Sequence, residues 1–130
     1  MSTSTFQSGR SGKGDAFVSD RAGSLHALAM RHSARALAPL ALIAIWLIVG
    51  LVGKSYEAAR AEIARPLPAI ALIAFIVVVA YHARLGMENI IEDYVHDDSL
   101  KATALLINKW LVIAIAAVWT LAIMIIAAPR

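Results

Sequence analysis

An all-α membrane protein with three spanning helices is the fold that this sequence predicts, and three observations predict it. Of 130 residues, 60% are hydrophobic and 16% charged, whereas a soluble domain carries roughly a quarter charged residues. Mean hydropathy is +0.71, so the chain cannot cover a core of its own with polar surface and needs lipid or partner subunits around it. Three apolar runs, about 36–52, 66–86 and 110–128, are each close to the ~20 residues that a helix needs to cross ~30 Å of hydrocarbon.

Residues 1–22 are rich in Ser, Gly, Thr and charge without an apolar period, which reads as a flexible cytoplasmic segment. No apolar core follows Met1, so this is not a secretory signal, and Asp15 and Asp20 argue against a mitochondrial transit peptide. Residues 23–130 form one membrane domain with no internal repeat. The first span contains Trp46. The second opens on Pro66-Leu67-Pro68, which suits a helix's first turn. The third carries no charge over 19 residues.

The connection Lys54 to Arg65 mixes charges and reads as an ordinary solvated loop. Asp97 and Asp98 make a turn, with Ser99 as the cap of the next helix. Lys109 snorkels from the third span. His32 and His96 are solvated or interfacial, and the tryptophans are belt or packing residues.

Several chemistries are excluded. Without cysteine there are no disulfides, Cys-ligated zinc or thiolate-held clusters on this chain. No glycine-rich nucleotide fingerprint or P-loop is present. The net charge of +3 is spread over all polar segments, a topology signal rather than a nucleic-acid footprint. Arg10, Lys13, Arg21, Arg31, Arg35, Arg84, Lys101 and Lys109 fall on one side of the spans, against Lys54, Arg60, Arg65 and Arg130 on the other. By the positive-inside rule the N-terminus and the second connection face the cytoplasm.

His82 is where chemistry is expected. It lies 14 residues beyond Pro68, roughly 21 Å along the helix, in the cytoplasmic half of the bilayer. An ionisable ring at that depth is a functional residue by default, with metal ligation prominent among its roles; the competing reading is a histidine hydrogen-bonded between packed helices. Asp93 follows 11 residues later, close to three whole helical turns. A helix continued that far places His82, Gly86, Asn89 and Asp93 in one stripe leading to the membrane surface.

The pattern Tyr81-His82-x-x-x-Gly86, continuing to Glu92-Asp93-Tyr94-Val95-His96, resembles the hydrophobic membrane anchor of succinate dehydrogenase, respiratory complex II. Upstream, Gly23-x-x-His26-x4-Arg31 and Pro39-Leu40 are similar to the segment around that family's first span; Ala27-Leu28 depart from the aromatic residues many relatives carry there. The resemblance covers about Gly23 to Arg130.

It implies that three helices pack in a bundle with a second anchor subunit. It implies further that His82 is one axial ligand of a haem b shared with that cytochrome b anchor subunit, which supplies the other. Tyr94 and Asp93 would help to form the ubiquinone site, and Arg31 and His26 would contact the haem propionates. Electrons of the tricarboxylic acid cycle would reach quinone from succinate through partner flavoprotein and iron–sulfur subunits, this chain not being catalytic alone. The location implied is a bacterial inner membrane.

The plainer readings are a belt tyrosine at 94, a solvated carboxylate at 93 and a positive-inside residue at 31. Two rival functions stand beside the anchor reading: the anchor of a fumarate reductase-type complex, and a haem-free membrane scaffold or assembly protein.

Overall fold

The computed structural model describes residues 12–129, with side-chain surroundings from Gly23 onward. Four helices follow in order: α1 (Gly12–Leu51), α2 (Tyr56–Ile63), α3 (Pro66–Tyr94) and α4 (Asp98–Ala127). There is no strand among the described residues. Three helical stretches are long and apolar enough to span a membrane: Gly23–Leu51, Pro66–Tyr94 and Asp98–Ala127. The expected all-α, three-span architecture is borne out. Residues 1–11 of the segment expected to be flexible lie outside the described residues, and α1 begins at Gly12.

Each spanning helix is longer than its apolar run. The second and third contain 29 and 30 residues, about 44 Å at 1.5 Å per residue, the full thickness of a bilayer with its headgroup layers. The extra turns lie at the polar end shared by the start of α1, the end of α3 and the start of α4. Hydropathy marks only the hydrocarbon-facing part of a helix, whereas backbone hydrogen bonding carries the helix through the interface.

Helix ends follow local chemistry. Gly53, at φ +79°, takes the left-handed conformation that glycine adopts without steric cost and so ends α1. The connection read as a plain loop contains the two-turn helix α2, because Ser55 Oγ caps it by accepting from Ala58 N at 3.3 Å. Glu62 then pairs with Lys54 (3.6 Å) and Arg65 (3.1 Å). Arg60 donates to Ala128 O at 3.3 Å, fastening α2 to the end of α4. Pro66 and Pro68 open α3 as expected.

The cap of α4 is Asp97 rather than Ser99: its Oδ1 accepts from Leu100 N at 2.7 Å. A carboxylate at that position also meets the positive end of the helix dipole, whereas Ser99 lies within the first turn.

α3 is the centre of the bundle and packs along both α1 and α4. Flanked by the partly covered Ala29 and Ala41, the inward row of α1 is His26, Met30, Ser33, Leu37, Leu40, Ala44, Leu47 and Leu51. Their alternating spacing of four and three is the seam of left-handed helix packing. Only Ala44, Ala69, Leu85 and Ile91 are buried apolar residues among the described residues, and none of them is sealed completely. Leu42, Trp46, Ile70, Trp110, Trp119 and many others present apolar surface outward, the property of a chain solvated by lipid and by further helices.

Candidate functional site

His82 sits mid-way along the α1–α3 seam. Its Nδ1 lies 2.9 Å from Ser33 Oγ, a contact between residues 49 apart in sequence. Ser33 is almost completely buried, and its hydroxyl also lies 3.0 Å from Met30 O one turn back on α1. One turn beyond His82, a Cβ built on Gly86 would meet Met30 Cε at 3.8 Å. Gly86 therefore faces a flexible methionine tip on α1. Antiparallel α1 and α3 thus match Ser33 to His82 and Met30 to Gly86.

This arrangement leaves the imidazole with one nitrogen engaged and one available. Among the described residues Nε2 has no hydrogen-bond partner, and it is not sealed from the surface of the bundle. A nitrogen lone pair at Nε2, with the other ring nitrogen held by an oxygen, is the donor set that a metal-ligating histidine uses. The residues present fit haem iron taking one ligand from this chain. No group of three or more His, Asp or Glu gathers among the described residues that could hold a metal ion without outside ligands.

α3 does run unbroken to Tyr94, so the His82, Gly86, Asn89, Asp93 stripe exists. Asp93 is about 16 Å beyond His82 along the axis. Asp93 and Tyr94 are exposed, Tyr94 by 78%, and neither side chain makes a hydrogen bond or ion pair among the described residues. Both polar groups are presented at the helix end, open to a partner molecule.

The α1 residues behave differently from one another. His26 shares the inward seam with Ser33, and its Nε2 is enclosed with no hydrogen-bond partner among the described residues. Arg31 is exposed. Lying two residues from Ser33, about 200° round the helix, it leaves the backbone on the side away from His82. This chain by itself does not bring Arg31 and His82 together.

A second polar cluster escaped the sequence reading. Arg84 Nε donates to Glu88 Oε1 at 2.7 Å, with side-chain exposures of 34% and 15%. Asn108, buried on α4, donates from Nδ2 to Arg84 O at 3.1 Å. Two residues beyond His82, Arg84 points to the opposite face, so α3 offers one polar contact to each neighbour: Ser33 on α1 and Asn108 on α4. The i,i+4 spacing of Arg84 and Glu88 was the signal that could have found the pair. Lys109 places Nζ 5.5 Å from the Trp110 ring centre, holding the cation at the helix surface.

Sequence comparison matches residues 15–124 to the family described as succinate dehydrogenase/fumarate reductase transmembrane subunit. The chain belongs to that family. It is 35% identical over 102 residues to a succinate dehydrogenase hydrophobic membrane anchor subunit of Paracoccus denitrificans, covering 77% of this chain and 78% of the relative. It is 37% identical over 82 residues to a protein of the same description from Rickettsia felis, covering 60% of this chain and 68% of that one. No solved structure matches. The anchor resemblance carried by His82, Asp93 and Tyr94 is thereby borne out at the level of the family, as is a multi-pass membrane location. Polar side chains within the three spans of this chain are few, which makes the His82 seam and the exposed end of α3 the places to look for its chemistry.

Proposed function

We propose that this chain is the membrane anchor of a succinate dehydrogenase that reduces ubiquinone. The flavoprotein and iron–sulfur subunits would dock at the end of the bundle where α3 finishes and α4 begins, on the cytoplasmic side of a bacterial inner membrane, where the positive-inside count places the N-terminus. The observation that carries the reading is His82, with Nδ1 engaged by Ser33 and Nε2 open, on the same unbroken helix as Asp93 and Tyr94.

His82 would hold haem b through Nε2, together with a ligand from the cytochrome b anchor subunit. When bound, the haem would supply a one-electron reservoir, the chemistry suited to a histidine-held iron. Tyr94 would donate its phenolic proton in a hydrogen bond to a quinone carbonyl, drawing electron density toward that oxygen. Asp93, its neighbour, would orient the phenol or pass protons to the reduced product. The exposure of both groups supports this role, because a hydrogen-bonding site for a diffusing quinone has to open toward the membrane surface. His26 would meet a propionate, favoured by an Nε2 that has no hydrogen-bond partner among the described residues; Arg31, proposed for the same role, leaves α1 on the side away from His82 and would have to reach round the helix.

The test uses the complex purified from native membranes with its partner subunits. His82→Ala is expected to abolish the b-type spectrum, and an unchanged spectrum would remove the ligand role. Tyr94→Phe is expected to cut succinate:quinone activity steeply while succinate oxidation by a soluble dye persists. If both activities survive, the quinone assignment is wrong. A colourless complex would favour the haem-free scaffold. The family's description also spans fumarate reductase, and quinol:fumarate rates exceeding succinate:quinone rates would assign the chain to that direction.

A further inference from the structure

We propose that Ser33 is a positioning residue for His82: it fixes the orientation and tautomer of the imidazole and thereby sets the potential of the iron that His82 holds. The inference rests on the ligand reading above. It arises from a contact between α1 and α3 that nothing in the sequence pattern of either helix specifies.

Ser33 Oγ has one proton and two lone pairs. Met30 O lies at 3.0 Å on one side and His82 Nδ1 at 2.9 Å on the other. A carbonyl oxygen can only accept, so the Ser33 proton satisfies it when the imidazole brings a proton of its own. When Nε2 gives its lone pair to iron, Nδ1 of the neutral ring carries the ring's proton. The chain then reads Nδ1–H to Oγ, and Oγ–H to the Met30 carbonyl, with every hydrogen partnered and each bond polarising the next. The Ser33 hydroxyl is buried in the seam, so water cannot take its place readily. Met30 enters twice, through its carbonyl at Ser33 and through its Cε against Gly86, which keeps α1 close enough for the contact.

Two consequences follow for the iron. A hydrogen bond accepted from Nδ1–H gives the ring more imidazolate character, making it a better donor and favouring the ferric state. It also holds the ring plane at one angle about the Fe–N bond, which shapes the ligand field. Loss of the hydrogen-bond partner of a ligating histidine typically costs about 10–100-fold in affinity, and the ferric state should lose more than the ferrous one.

The experiment is a redox titration and low-temperature EPR of the purified complex carrying Ser33→Ala, Ser33→Thr or the native residue. Ser33→Ala is expected to raise the haem midpoint potential. A tenfold fall in the ferric-to-ferrous affinity ratio reads as ~59 mV for one electron. The low-spin EPR g-values should move with it, and Ser33→Thr, which keeps the hydroxyl, should restore both. If Ser33→Ala does not assemble, Ser33→Cys keeps the volume with a weak acceptor and should show the same upward shift. Unchanged potential and g-values in Ser33→Ala, or in Ser33→Cys where it stands in, would overturn the proposal. His82→Ala separates the two levels of inference: loss of haem there with no effect at Ser33 sinks the positioning role alone, whereas haem retained with an unaltered spectrum sinks the ligand reading itself.

Discussion

Removing Arg84 should damage this bundle more than removing Glu88, although they are the two halves of one ion pair. The pair is short, 2.7 Å, and lies on α3 near the C-terminal end of its apolar run, with Glu88 only 15% exposed and Arg84 34%. A fully buried pair broken from one side costs about 3–5 kcal/mol, and an exposed one about 0–1 kcal/mol. The intermediate exposure puts Arg84→Gln at about 2–3 kcal/mol, between those limits. The carboxylate left behind has a short stem, and no other cation pairs with it among the described residues. In Glu88→Gln the guanidinium keeps an amide acceptor in reach and has a long stem with which to seek the headgroups, so about 1 kcal/mol is expected. Detergent-to-SDS unfolding titrations of both variants and the double variant give the coupling directly. Equal losses below about 0.5 kcal/mol in both single variants, the range of an exposed i,i+4 helix pair, would refute the reasoning, and so would a larger loss in Glu88→Gln.

Gly86→Ala should be tolerated, since its new methyl meets only the mobile Met30 Cε at 3.8 Å. Gly86→Phe should part α1 from α3 and, on the proposal that His82 ligates haem, alter the haem spectrum through Ser33; an unaltered spectrum in a haem-loaded Gly86→Phe complex would show that Met30 does not govern the seam. Asp97→Ala removes the 2.7 Å cap of α4 and should cost about 1 kcal/mol, with Asp97→Asn nearly neutral; thermal unfolding of the two variants checks the order. Asn108→Ala loses one interhelical hydrogen bond, worth about 0.6 and at most about 1.7 kcal/mol within a membrane. A loss well beyond that in the same SDS titration would mean that Asn108 holds more than the Arg84 carbonyl.

Properties that belong to a single helix were legible in the sequence. The three spans announced themselves because lipid admits long apolar helices and little else. The register of His82 with Gly86 and Asp93 followed from the helical repeat alone, given that α3 runs on to Tyr94. Proline at the start of α3 was legible for the same local reason. Where two local signals competed, as Asp97 and Ser99 did for the cap of α4, spacing could not choose between them. In the connection before α3, mixed charges hid the Ser55 cap and the turns of α2 that it starts.

What tertiary structure decided is which side chain meets which across the seams. Any of several residues of α1 could have faced His82; the four-and-three packing register of α1 on α3 selected Ser33. The same packing turned Arg84 to α4 and aimed Asn108 at its carbonyl. Hydropathy is a sum over one helix and is blind to rotation about its axis, whereas a hydrogen bond between residues 49 apart exists only at one rotation and one depth. The sequence thus determined that a histidine stands in the membrane on one stripe with an aspartate and beside a tyrosine, and the packing of α1 on α3 decided which of its nitrogens is held and which is left open.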